Sequence, residues 1–463
     1  MAVFFALAAG AGAQTLRFSN HRKIEPPEYA TVRIGPFYSN IDFSQSAGYR
    51  YTRSRGRGTD FLYGNDRGVI KEDGSEFPIV SRLNFRNYII LTDNADLDVS
   101  VGVSYSYFPN DTQENELNVD LAEEGITGSL STEFRPARTV RGTLYDNVFY
   151  HTDYVDTRGI TDEYGGAKYE RLDNTVGLNV DWMVNPRGNA VFRAARNDLI
   201  PKEKEFDDQE RFTYTESAGY QHKLSDFLIC GAEAGFRQNM YAVTNRADSS
   251  DQSYTVSADA RLTSRTTGSA SAGYNISSVS SPGGDSRETG DSTAVGSLSV
   301  ETELSPALRH GLSYGRTRRQ GFRSAYEIAD TWNYRLDWRG RFSEAGFYSR
   351  YITVDPSRTD INEFSNWSAG LNTSHPIARG ITLDFNTSYT LRLNSGTYTA
   401  GDIDEEWKYD YATWVSRLGT SFALLENVSF STYFQHIERD SDSENLSYTR
   451  DIFSATFTYT HAF

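Results

Sequence analysis

Residues 97–108 read LDVSVGVSYSYF. Leu97, Val99, Val101, Val103, Tyr105 and Tyr107 fall on one parity, and Asp98, Ser100, Gly102, Ser104 and Ser106 on the other. Side chains alternate across a strand, so this period of two predicts a strand with one apolar and one polar face. The same rhythm recurs along the chain. Residues 381–393 set Ile381, Leu383, Phe385, Tyr389, Leu391 and Leu393 against Thr382, Asp384, Asn386, Ser388, Thr390 and Arg392. Residues 176–184 oppose Val176, Leu178, Val180, Trp182 and Val184 to Gly177, Asn179 and Asp181, and residues 332–339 oppose Trp332, Tyr334, Leu336 and Trp338 to Asn333, Arg335, Asp337 and Arg339. Segments of about 9–12 residues suit a tilted strand that crosses a bilayer.

The connections alternate as well. Short turns are expected at 92–96, 135–139, 185–188, 223–226, 263–266, 305–307, 376–380 and 425–427, with a near-minimal link around Gly340. Between them lie longer polar stretches at 109–125, 151–173, 198–210, 242–251, 279–291, 319–329, 354–365, 394–408 and 438–449. Short turns on one side and long loops on the other define a transmembrane barrel. Counting an opening strand near 29–53 and a closing strand near 450–463, the expectation is an all-β, antiparallel, up-and-down transmembrane β-barrel of roughly 20 strands (18–22). Short periplasmic turns and long extracellular loops would join them. A soluble propeller would show a repeated blade motif of about 40–50 residues, and none is present.

Composition excludes other classes. The chain has 463 residues, 46 Lys+Arg against 62 Asp+Glu, and a formal net charge of −16. A mean hydropathy of −0.57 accompanies 14 % aromatic residues, with 30 Tyr and 27 Phe. Beyond the extreme N-terminus there is no apolar run of the roughly 18 residues a membrane helix needs. Disordered chains are poor in aromatics. An acidic balance disfavours a nucleic-acid partner, which is bound through a Lys/Arg surplus. Cys230 is the single cysteine, which rules out an intramolecular disulfide or a cysteine metal site.

Residues 2–13 (AVFFALAAGAGA) are apolar and small and end in Ala11-Gly12-Ala13. That is the pattern of a secretory core with an A-x-A cleavage site, although a basic leader is missing. The division expected is a partial signal peptide over 1–13, a periplasmic segment over 14–28 and the barrel over 29–463. About 15 residues between Gln14 and Tyr29 are too few for the N-terminal plug of an energised receptor, so active uptake of that kind is not expected.

The end of the chain, FSATFTYTHAF (453–463), puts Phe453, Ala455, Phe457, Tyr459, His461 and Phe463 on one parity and finishes on an aromatic. It resembles the C-terminal signature by which the barrel-assembly machinery recognises Gram-negative outer-membrane barrels, with Phe457, Tyr459 and Phe463 as the signal residues. His461 departs from the usual apolar choice. The whole mature chain resembles the large β-barrel porin families of the outer membrane, some encoded beside exopolysaccharide systems. That resemblance implies a pore or an exporter in the outer membrane, in contact with lipid and lipopolysaccharide.

If the apolar parity meets lipid, the polar parity lines the lumen. The residues assigned to the pore are Asp98, Asp181, Asp259, Arg261, Glu301, Glu303, Arg309, Arg335, Asp337, Arg339, Asp384 and Arg392. A charge on the lipid face costs about 2–4 kcal/mol at the midplane for Arg or Lys, which drives these side chains inward. Such charges either select solutes or brace neighbouring strands. Two arginine groups, Arg50/Arg53/Arg55/Arg57 and Arg316/Arg318/Arg319, suggest a basic mouth, or contacts to lipopolysaccharide phosphates or nearby acids. The acidic runs 402–406 and 440–445 lack the spacing of a calcium loop and read as solvated. Tyr105, Tyr107, Phe108, Tyr150, Trp182, Tyr241, Trp332, Trp338 and Trp414 suit interfacial girdles.

No H-E-x-x-H, G-x-S-x-G or phosphate-cradling loop occurs, the seven histidines are scattered, and no haem-attachment C-x-x-C-H exists. No enzyme and no cofactor are expected. The function expected is a passive outer-membrane porin-like channel for small polar solutes. The alternatives are a conduit for exopolysaccharide export or a sheath around a periplasmic partner protein, and a closed structural or adhesion barrel that acts through its extracellular loops.

Overall fold

The computed structural model describes residues 32–56, 74–107, 127–155, 167–202, 204–242, 248–280, 287–288, 292–319, 326–356, 364–400, 403–441 and 447–462. Twenty long strands form one antiparallel sheet in which each pairs with its neighbours in sequence. The first, Phe37–Gly56, pairs with Ile79–Thr92 on one side and with the last, Tyr448–Ala462, on the other. The registers Asp42↔Ala462 and Gly56↔Tyr448 bound the seam that closes the barrel. Closure matters because lipid offers no partner to a backbone N–H or C=O, and an open edge would leave a row of them unpaired. Three short segments, Val32–Ile34, Gly74–Glu76 and Arg287–Glu288, add to this sheet.

All nine expected turns are present as tight links, for example Asn185 to Gly188 and Ala378 to Ile381. Gly380 occupies the last of these at φ +77°, a left-handed conformation that a side chain would strain. The opposite ends of the strands differ from expectation in three places. Residues 151–155 and 167–173 are ladder, within Val140–Val155 and Ala167–Asn185. Residues 394–408 are nearly all strand, in a hairpin of Ile381–Ala400 and Ile403–Leu425. Above the bilayer both faces of a strand meet water, so apolar alternation ceases while pairing continues. Periodicity therefore marks the membrane-spanning part and misses the extension. Loop 198–210 is replaced by strand as far as Pro201 and a 3₁₀ turn over Lys204–Gln209. The proposed signal peptide, residues 14–28, the loop 109–125, Phe108 and Phe463 lie outside the described residues.

The apolar parity faces outward. Val101, Leu178, Tyr254, Leu298, Trp332 and Trp414 are all solvent-exposed on the isolated chain, whereas buried apolar clusters among the described residues are few and small. A soluble protein does not carry a continuous belt of this kind, but a bilayer covers it. Trp182 and Trp338 lie near the turn end and Trp332 and Trp414 nearer the loop end, as girdles do. Tyr241 departs from the expected girdle: it shares its parity with Asn239, opposite the exposed Phe236 and Met240, and faces the lumen.

Val256 projects outward midway along Ser249–Arg261 and Ser257 inward. Val256→Arg is expected to lower unfolding stability by about 2–4 kcal/mol in lipid vesicles. Ser257→Arg should change it far less. Denaturant titration of the refolded variants measures both.

Candidate functional site

Register and outward exposure together fix which side chains share the lumen. Each residue assigned to the pore lies on the inner face: Asp98 opposite Val101 and Val103, Asp181 opposite Trp182, and Asp259 and Arg261 opposite Val256. Glu301 and Glu303 lie opposite Leu298 and Leu304, Arg309 opposite Leu312, and Arg335, Asp337 and Arg339 opposite Trp332 and Trp338. Asp384 and Arg392 lie opposite Tyr389 and Leu393.

Near the turns the lumen is acidic and mixed. Tyr88 donates to Asp96 at 2.6 Å, and the other Asp96 oxygen accepts from the Glu133 backbone at 2.9 Å. Glu133 also holds Arg135 and Arg141, both at 2.6 Å. Farther round the wall, Arg309 meets Glu303 at 2.7 Å, Arg335 meets Asp337 at 2.6 Å, and Arg339 meets Glu344 at 2.9 Å. The partner of Arg335 is on its own strand and that of Arg339 just across the turn, so neither pair clamps distant strands. Their side chains are 74 % and 79 % exposed although they point inward. Such exposed pairs add little stability. Their guanidiniums line an aqueous space.

Toward the loop end the inner face changes character. Arg350, Arg392, Arg439 and Arg450 all point inward there. Apolar and polar inner residues are enclosed: Ile437 is 0 % exposed and Val354 2 %. Ala329, Val354 and Phe364 form a cluster that Ile352 joins. Thr213, Asn239 and Ser249 make a buried chain of hydrogen bonds at 3.0 and 2.9 Å. Phe206, on the 3₁₀ turn, is 1 % exposed. The turn is anchored where Lys202 meets Glu170 at 2.6 Å, through both the side chain and a 2.9 Å backbone bond from Lys202 to the Glu170 carbonyl. The hydrogen bond to Glu170 raises the Lys202 ammonium above its ordinary value, so the anchor stays charged at physiological pH. The lumen is therefore a cup, hydrated at the periplasmic end and packed at the extracellular end.

The two arginine groups are split between faces. Arg50 points inward and Arg53 outward, while the Arg55 side chain and Arg57 lie outside the described residues. Arg316 sits 3.5 Å from Asp330, Arg318 3.7 Å from Asp251, and Arg319 3.0 Å from Glu327. Acids beside them match the neighbouring-acid reading. Phe457 and Tyr459 project outward near the end of the last strand. The sequence reading missed Arg350 and Arg439; their parity identified them, but no surrounding apolar alternation drew attention to it.

A closed twenty-stranded barrel with a lipid-facing belt and a charged interior is a transmembrane β-barrel of the outer-membrane class. Its belt suits the hydrocarbon core of a bilayer. No protein-family model matches the sequence, and no curated protein matches it. Solved structures do match in fold. The copper transporter OprC aligns with a TM-score of 0.51 and 11 % identity over 93 % of this chain and 81 % of that one. A point variant of the ferric enterobactin receptor PfeA from Pseudomonas aeruginosa aligns with a TM-score of 0.50 and 9 % identity over 91 % and 80 %. At such identities the likeness is one of fold.

Tyr88 and Asp96 are both buried. Tyr88→Phe would leave an Asp96 oxygen without its donor, and the expected loss of unfolding stability is about 1–3 kcal/mol. Denaturant unfolding followed by tryptophan fluorescence checks it.

Proposed function

We propose that this barrel is an outer-membrane channel for small polar solutes, with passage restricted at the extracellular end. The observation that carries the reading is the coexistence, on one inner wall, of solvated charges near the turns and enclosed side chains near the loops. Arg335 and Arg339 lower the cost of bringing a polar solute into the low-dielectric membrane. The packing around Val354 and Ile437 narrows the way out. Transport of a polar solute through a charged lumen needs no cofactor and no chemical step. Phe457 and Tyr459 would serve as the assembly signal read by the barrel-assembly machinery, and the outer belt would meet lipid and lipopolysaccharide.

One observation favours a second reading. The hairpin Ile381–Ala400 and Ile403–Leu425 is far longer than the about 9–11 residues needed to span the bilayer, so it rises well above the surface. Such a rib suits contact with a surface polymer, as in the conduit or adhesion readings. Removing residues 395–408 would abolish binding of that kind and leave folding intact.

Single-channel recording from the refolded barrel in a planar bilayer tests the channel reading. Ion-selective steps are expected. Arg335→Glu combined with Arg339→Glu should move the reversal potential under a salt gradient toward cations. Ile437→Ala should raise mean conductance or the frequency of opening. A folded barrel that passes no current in either form would overturn the channel.

A further inference from the structure

A cavity of about 850 Å³ is set into the lumen wall between the strands Ser292–Ser305 and Val428–Ser441. It carries polar side chains among apolar ones along its length and is graded in charge. The two carboxylates of its lining, Glu301 and Asp337, lie at the periplasmic lip beside Arg309 and Arg335. Deeper, toward the extracellular end, the charged lining residues are Arg350, Arg392 and Arg439, all well above the periplasmic starts of their strands at Glu344, Ile381 and Val428. Between lip and depth stand Asn333, Asn366, Ser368 and Thr390.

We infer that this cavity binds an acidic saccharide, a sugar carrying a carboxylate or a phosphate ester, admitted from the periplasmic side; the inference rests on the channel reading above. Three features carry it. The first is the guanidiniums at the deep end, set into the wall with Arg392 3 % and Arg439 8 % exposed, whose planar forks match carboxylate and phosphate oxygens in two-bond contacts. Aromatic neighbours set their orientation: Arg392 lies 4.8 Å over the Phe364 ring and donates to the Tyr411 hydroxyl at 3.0 Å, and Arg439 lies 4.6 Å over the Tyr411 ring and donates to Thr413 at 3.2 Å. Side chains held in this way lose less freedom when an anion arrives.

The second feature is the field of amides and hydroxyls, which can exchange hydrogen bonds with a polyhydroxylated body where an apolar wall would strand them. Tyr348 adds an aromatic face to it. Its ring lies across Gly370 on the next strand, so close that a Cβ at Gly370 would stand 2.6 Å from a ring carbon. It is nevertheless exposed toward the lumen. The third is the direction of entry. Ile352 lines the cavity and packs against Ala329, Val354 and Phe364, an apolar seal at the extracellular end. At the opposite, periplasmic end of the lining stands the solvated Arg335. The volume suits a small saccharide, since ligand pockets run about 300–1,000 Å³.

The test uses the full-length refolded barrel in a planar bilayer, with glucuronate, glucose 6-phosphate, glucose or inorganic phosphate added to each side in turn. The readout is the fraction of current blocked. Block by glucuronate or glucose 6-phosphate from one side only, with glucose and inorganic phosphate inactive at the same concentration, is expected. Which of the two acids blocks at lower concentration separates carboxylate from phosphate ester. Arg392→Gln with Arg439→Gln should raise the blocking concentration about tenfold or more, the loss expected when charge-assisted contacts are removed. Arg392→Lys with Arg439→Lys, which keeps the charge and gives up the fork, should fall between, and it also serves if the glutamine form does not fold. Equal block by glucose, equal block by inorganic phosphate, or block indifferent to both double variants would overturn the inference while leaving the channel in place. If the folded barrel passes no current, calorimetry with glucuronate and glucose 6-phosphate decides separately. Heat lost in the glutamine form supports the site without the channel, and no heat removes both.

Discussion

Lipid accepts no hydrogen bonds, and the rest of this molecule follows from that. Every N–H and C=O at membrane depth must find a partner within the chain, and with strands the solution is a sheet without edges. The seam between Phe37–Gly56 and Tyr448–Ala462 joins the first long strand to the last. Neighbouring strands run antiparallel and are joined at one end by tight turns. Closure divides every strand into a lipid parity and a lumen parity. Side-chain chemistry is then sorted without further instruction, because an arginine on the wrong parity would sit in hydrocarbon.

What closure encloses is not uniform along the barrel axis. At the periplasmic end the charged pairs of Arg335 with Asp337 and Arg339 with Glu344 stand in water, where screening and side-chain entropy leave them little structural value. Their effect is on the potential that a passing solute meets. At the extracellular end the inward residues Ile437, Val354 and Thr213 are enclosed. The Lys202–Glu170 anchor holds the turn that carries Phe206 at the same end. A wide barrel of this sort transports selectively only if something narrows it, and here the narrowing lies at one end.

Arginine is the residue that links the two halves. Near the turns it alternates with acids; deeper, on the wall carrying Arg350, Arg392 and Arg439, the cavity's charged residues are basic alone. The aromatic faces of Phe364 and Tyr411 support two of these guanidiniums, which suits a residue whose weakly hydrated plane stacks where an ammonium would not. A chain with a net charge of −16 thus presents a basic interior locally. Net charge describes solubility and long-range attraction, not the field inside a particular cavity.

Much was legible in residues 97–108 and their counterparts, because the period of two is local: a side chain's face depends only on its parity and on its neighbours along the strand. The turn at Asn185–Gly188, the inward placement of Asp181 and Arg335, and the strand number all follow from counting. The sequence did not give the extension of Ile381–Ala400 and Ile403–Leu425 above the bilayer, since alternation vanishes where both faces are wet. Nor did it set Tyr241 inward, because a tyrosine at a strand end suits either face. The gathering of Arg350, Arg392 and Arg439 into one cavity under the Phe364 seal lies beyond it altogether. Those residues stand on different strands, and which of them share a wall depends on pairing register and closure. The sequence by itself determined faces and turns, which are properties of single strands; the tertiary structure decided neighbours across the lumen, because those distances exist only once the sheet has closed.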